Sequence, residues 1–165
     1  MNNNKSVGVR FIEPAGSIPK RKEIRLKSYD YKSNGYYFIT ICTYKGKPYV
    51  KKHKEIIERI LLSLPERFSG LKIGWYILMP DHLHMVFVFN EIKKDLPEII
   101  RTFKALVTRN ARIKFWQRNY YEHVIRNEDA LLKIREYIQN NPLTEKIRFE
   151  EFYEDGSDES DPYKK

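Results

Sequence analysis

Two apolar runs, Leu71 to Leu78 and His82 to Asn90, flank the connection Met79-Pro80-Asp81. Both are rich in β-branched and aromatic residues, and neither approaches the length needed to cross a bilayer. A connection of this kind suits a hairpin or tight bend, so the runs are predicted to pair as neighbouring antiparallel strands. A chain with such a pair at its centre is committed to an antiparallel sheet, and the remaining elements must cover that sheet.

The covering elements are legible from periodicity. Tyr36 to Tyr44, rich in aromatic and β-branched residues and preceded by the turn signal Ser33-Asn34-Gly35, is predicted to be the first strand. His53 to Leu64 places Ile56, Ile57, Ile60, Leu61 and Leu64 at helical spacing, with Pro65 as the predicted stop. Leu96 to Lys114 reads as a long helix with Ile99, Ile100, Phe103, Leu106, Val107 and Ile113 inward, and a basic face of Arg101, Lys104, Arg109, Arg112 and Lys114. A short strand is predicted over Glu122 to Ile125. A last helix follows, with Asn127 as cap, Glu128 and Asp129 at the positive end of its dipole, Leu131, Ile134 and Ile138 as its apolar stripe, and Asn140-Asn141-Pro142 as its end. The order β, α, β, β, α, β, α predicts an α+β domain of the ferredoxin-like kind, with helices packed on one antiparallel sheet.

Length and charge narrow the partners. A chain of 165 residues matches one compact domain. The single cysteine, Cys42, excludes an internal disulfide framework and fits a reducing, cytosolic compartment. No secretory signal and no membrane span is predicted. The net charge is +9, and it is unevenly spread: residues 150–165 hold seven acids against two lysines, leaving 29 basic against 15 acidic residues in 1–149. A body that basic gathers polyanions, and nucleic acid is the predicted partner, although a basic surface also serves solubility. Residues 1–28 are read as a basic arm, 29–149 as the domain and 150–165 as an acidic tail with little to bury.

The chemistry centres on His82-Leu83-His84. Side chains of a strand alternate faces, so His82 and His84 project together while Leu83, Met85, Phe87 and Phe89 face the core. Two imidazoles on one rigid strand can hold a single metal ion, or can equally be hydrogen-bonded histidines with no metal. In the final helix Tyr137 and Asn141 are four residues apart and share a face with Lys133. Asn141 offers a neutral oxygen to a metal and Tyr137 a phenolic nucleophile; the same residues also suit a helix end and the edge of a core.

Met79-Pro80-Asp81-His82-Leu83-His84-Met85-Val86 resembles the HUH signature, histidine–hydrophobic–histidine, of the insertion-sequence-200-like, single-tyrosine transposases that act on single-stranded DNA. The likeness is greatest to the REP-associated tyrosine transposases. Further blocks resemble the family in order: Arg25-Leu26 with Tyr29-Asp30-Tyr31, Tyr37 to Thr43, Phe103-Lys104, Trp116-Gln117, Tyr121 to Asn127, and Tyr137-Ile138 with Asn140-Asn141-Pro142.

The resemblance implies an HUH-endonuclease fold. It implies Tyr137 as nucleophile, His82, His84 and Asn141 as ligands of Mg or Mn, and palindromic single-stranded DNA hairpins as partner, handled by a monomer or a homodimer at the nucleoid. Single-strand recognition is expected from Arg21, Lys22, Arg25, Lys104 and Arg126, with Trp116, Tyr120 and Tyr121 as stacking faces or equally as core. The resemblance places His123 in the short strand near the site, although a lone histidine is more often structural. The reaction implied is nicking and strand transfer through a 5′-phosphotyrosine. A phenol with an ordinary pKa of about 10 is mostly protonated at neutral pH, so the site must lower that pKa, with Lys133 one candidate, or supply a base. Two other readings stay open: a non-catalytic module with an RNA-recognition-like sheet, and a hydrolytic metal nuclease that needs no tyrosine.

Overall fold

The computed structural model describes residues 29–140. Its elements in chain order are β1 (Gly35–Cys42), α1 (Tyr49–Lys52), α2 (Lys54–Arg67), β2 (Leu71–Leu78), β3 (His82–Phe89), α3 (Leu96–Ala111), β4 (Tyr121–Ile125) and α4 (Glu128–Asn140). A short 3-10 turn, Tyr44–Gly46, follows β1. The four strands form one sheet in the order β2-β3-β1-β4, with every neighbouring pair antiparallel. This is the ferredoxin-like arrangement predicted from the element order, extended by α4.

The sheet has two covered faces. On one, Tyr37, Ile39 and Ile41 of β1 and Leu83, Met85, Phe87 and Phe89 of β3 join Ile57, Leu61 and Leu64 of α2 and Ile99, Phe103 and Val107 of α3 in the main core. Alternation sends Phe38 and Val86 to the opposite face, where they pack with Ile125 and with Ala130, Ile134 and Ile138 of α4. A bulge between Ile73 and Trp75 shifts the β2 register against β3, and Trp75 and Ile77 consequently border the α4 cluster. At the α2–β2 turn Gly70 has φ +90, and a Cβ there would lie 2.3 Å from the Asn90 carbonyl oxygen, so glycine is required.

Several predicted boundaries move. Pro65 lies inside α2 rather than ending it. Its missing N–H forfeits one bond near the helix end, while Leu64 stays fully buried in the core and Phe68 N–H still reaches the Leu64 carbonyl at 2.9 Å. The first strand ends at Cys42, two residues early, because Thr43 N–H turns to the Asp81 carbonyl at 2.8 Å. Helix α3 ends at Ala111 rather than Lys114, since Arg112 adopts the left-handed conformation (φ 56, ψ 32). Strand β4 begins at Tyr121, one residue earlier than read. The basic arm 1–28, the acidic tail 150–165 and the domain limit at 149 lie outside the described residues.

Candidate active site

The two histidines of β3 lie on the face covered by α4. His84 stands between Ile77 of β2 and Thr40 of β1, and His82 stands opposite Cys42. Both rings are enclosed: His84 is 2% exposed and the His82 side chain 13%. Their ring centroids are 4.9 Å apart at an interplanar angle of 71°. Each ring is held through Nδ1. His82 Nδ1 lies 2.7 Å from Asp81 Oδ1, and His84 Nδ1 lies 2.8 Å from Thr40 Oγ1. The pairing of His84 with Thr40 joins residues 44 apart in sequence, and strand pattern alone gave no sign of it.

Tyr137 belongs to the same face. Asn127 Oδ1 accepts from Ala130 N–H at 2.8 Å and starts α4 as predicted. The Tyr36 hydroxyl of β1 donates to Glu128 Oε1 at 2.8 Å and ties the first turn of the helix to the sheet. Ala130, Ile134 and Ile138 then bury the apolar stripe, and half-buried Tyr137 packs at its edge against the cluster containing Phe38 and Val86. Phe38 in turn lies against His84, ring centroids 5.4 Å apart. Tyrosine and histidines thus flank one apolar patch. Asn141, expected as a third ligand, lies outside the described residues, as do Arg21, Lys22 and Arg25.

Electrostatics distinguishes the reactive candidates. Burial, and secondarily the neighbouring His82, pull the pKa of His84 down to about 3, so its imidazole is neutral at pH 7, the form that ligates metals. Cys42 is the other nucleophile-bearing residue beside His82. Burial, then the charge of Asp81, push its thiol up to about 12, against the opposing pull of Lys104, and it stays protonated. Tyr36 is raised by its bond to Glu128, and Tyr37 is raised by burial above all. Among the described residues, no group of three or more His, Cys, Asp or Glu side chains is arranged to hold a metal ion. The candidate donors on β3 are two imidazoles.

Two residues expected to contact DNA have partners within the fold. The Lys104 ammonium does not stand free on the basic face of α3: it donates to the carbonyls of Gln117, Arg118 and Asn119 at 2.5, 3.0 and 3.3 Å. An ammonium has three donors, and these carbonyls engage them, so Lys104 clamps the loop before β4. Trp116, expected to stack on bases, is 6% exposed and packs on Phe115 and Phe103 with centroids 4.4 and 5.8 Å away. Tyr120 and Tyr121 are likewise buried. Arg126 is exposed in the β4–α4 connection, and Arg101, Arg109, Arg112 and Lys114 of the α3 region are exposed as well. His53 bonds the Tyr49 carbonyl at 3.0 Å and takes a structural part.

His123 is fully buried in β4 opposite Phe38, on the histidine face. Burial lowers its pKa to about 3. The two lowered values have a consequence for stability. A group whose folded pKa lies below its unfolded value of 6.5 leaves the unfolded chain to bind the proton first. Stability is therefore intact above pH 6.5 and declines as pH falls toward 3, by up to about 1.4 kcal/mol per pH unit for each histidine. Urea midpoints measured in chelator are expected to hold steady down to about pH 6.5 and then fall steeply toward pH 5, and His123→Gln is expected to remove about half of that slope.

Relatives place these features in a known context. A family model described as IS200-like transposase matches residues 30–141. An uncharacterized protein of Haemophilus influenzae is 36% identical over 163 residues, covering 76% of this chain and 90% of the relative. A REP-associated tyrosine transposase of Escherichia coli is 28% identical over 79 residues, 47% of this chain and 48% of that protein. In fold, the chain is similar to a solved REP-associated tyrosine transposase bound to a REP hairpin, with a TM-score of 0.63 at 20% identity, over 72% of this chain and 73% of that one. No helix among the described residues is long and apolar enough to cross a membrane. With more than half of the chain matched, from just before β1 to the end of α4, the chain belongs to the IS200-like transposase family.

Proposed function

We propose that this transposase nicks and rejoins hairpin-forming single-stranded DNA through a covalent link between Tyr137 and a 5′ phosphate, with a divalent ion held by His82, His84 and Asn141. The observation that carries the reading is the placement of Tyr137 on α4, the helix that among the described residues covers the histidine face of the sheet. Measured from the Tyr36–Glu128 anchor, Tyr137 lies nine residues along a helix, about 13.5 Å, and His84's partner Thr40 lies four along a strand, about 13 Å.

The residues fit a cation. Each ring has Nδ1 toward Asp81 or Thr40, so Nε2 of each would be the nitrogen that holds the ion, in the pattern usual for ligating histidines. Mg and Mn both accept such a set with an amide oxygen, and the nitrogen donors favour Mn. The chemistry a bound ion supplies is electrostatic: it draws charge from a non-bridging oxygen of the scissile phosphate.

The chain's own part is the nucleophile. Tyr137 loses its phenolic proton and attacks phosphorus in line, the bond to the 3′ oxygen breaks, and that oxygen leaves as a 3′-hydroxyl once protonated. The new phosphotyrosine is itself a phosphodiester, so a second 3′-hydroxyl can displace the tyrosine and join new ends with no external energy source. Arg126 and the basic arm containing Arg21, Lys22 and Arg25 supply phosphate contacts, and the reaction takes place in the cytoplasm, where single-stranded DNA is exposed. The RNA-recognition-like alternative loses support, because the sheet face it would need bare is covered by α4 and the aromatics it would use are buried.

The test is direct. A hairpin-bearing oligonucleotide labelled at its 3′ end, incubated with the full chain and Mn²⁺, should yield a labelled protein band that survives denaturing electrophoresis. DNA binding with no such band under any divalent ion would defeat the proposal.

A further inference from the structure

The bonds that hold the two imidazoles come from opposite sides. Asp81 precedes His82 in the hairpin turn, its carboxylate can only accept, and the 2.7 Å contact therefore draws the proton of a neutral His82 to Nδ1. Thr40 reaches His84 from the neighbouring strand, at the register position directly opposite it, and is itself fully buried. A hydroxyl can give or take a proton, so this contact acquires a direction only from what the other nitrogen must do. The rings are 4.9 Å apart at centroid and share one sheet face. Two Nε2 lone pairs meet on one ion only if Nδ1 carries the proton in both rings.

We propose that Thr40 and Asp81 are positioning residues for the metal centre, each accepting from Nδ1–H and so holding its histidine in the tautomer that presents Nε2 to the ion. The inference rests on the metal reading above and assigns work to two residues that the motif His82-Leu83-His84 does not contain. It explains why a threonine occupies a fully buried site in an otherwise aromatic and aliphatic strand. A hydroxyl there is costly unless bonded, and its bond is to the ligand ring. It also separates two kinds of support: Thr40 is enclosed, whereas the Asp81 side chain is 48% exposed.

Two measurements test this. Long-range proton–nitrogen correlation spectra of the unmodified, metal-free protein at pH 8 should show Nδ1 protonated and Nε2 bare in both rings, the reverse of the tautomer that free histidine favours in water. A protonated Nε2 in either ring overturns the assignment for that residue, with no variant required. Mn²⁺ affinity, read by paramagnetic resonance of the free ion, should fall about 10- to 100-fold in Thr40→Val and in Asp81→Ala, and should return to within about fivefold of wild type in Thr40→Ser and Asp81→Asn. Wild-type affinity in Thr40→Val or Asp81→Ala overturns the role of the residue changed. His82→Ala serves as the reference: should it bind Mn²⁺ as tightly as wild type, the metal reading beneath the proposal fails, a result distinct from failure of the positioning variants alone.

Discussion

Tyr137→Phe is expected to abolish the covalent adduct, lowering the rate of strand cleavage at least about a thousandfold, while single-strand affinity stays within a few-fold of wild type. The substitution removes one oxygen and leaves the ring packed on the cluster of Phe38, Val86 and Ile138, so the helix keeps its seat. Two other potential nucleophiles among the described residues are held back. Tyr36 is tied to Glu128 and its pKa is raised by that bond, and the Cys42 thiol is held protonated by burial. Denaturing gels with 3′-labelled hairpin DNA, run beside filter binding on the same preparation, separate the two quantities. Cleavage that persists in Tyr137→Phe would identify a hydrolytic nuclease, in which water takes the tyrosine's place.

His82→Ala is expected to remove adduct formation as completely as the loss of the nucleophile, and chelation of wild-type protein should do the same until Mn²⁺ is restored. Residues acting as one unit are strongly non-additive, so the double variant of His82 and Tyr137 should be no slower than either alone. His84→Ala is the less clean experiment. His84 is 2% exposed between Ile77 and Thr40, and its removal opens a cavity and strips Thr40 of its partner. A stability loss of about 2–4 kcal/mol should accompany the activity loss there, visible as a lowered denaturation midpoint. His82, with its side chain 13% exposed at the strand's beginning, should lose activity with much less loss of stability.

The legibility of the site followed the range of its interactions. That His82 and His84 share a face, and that Leu83, Met85 and Phe87 take the other, follows from strand alternation and is what the structure has. Asn127 as the cap of the tyrosine helix was equally local. The carbonyl partners of Lys104 were not legible, because a basic helix face looks the same in sequence whether its charges meet phosphates or carbonyls. Only the return of residues 117–119 beside α3 brings three carbonyls to that ammonium. Trp116 stayed open between stacking platform and core for a similar reason: an aromatic segment is ambiguous until Phe103 and Phe115 are in place around it.

By itself the sequence determined the kinds and order of the elements and the face each central strand residue turns to, since these depend on periods of two and 3.6 residues and on caps within one helical turn. Tertiary structure alone decided which helix covers the histidines, that β2 bulges to turn Trp75 toward them, and that Thr40 reaches His84 across 44 residues of chain. Those outcomes are set by side-chain volumes and hydrogen-bond partners that meet only when the sheet has closed, and no local pattern encodes them.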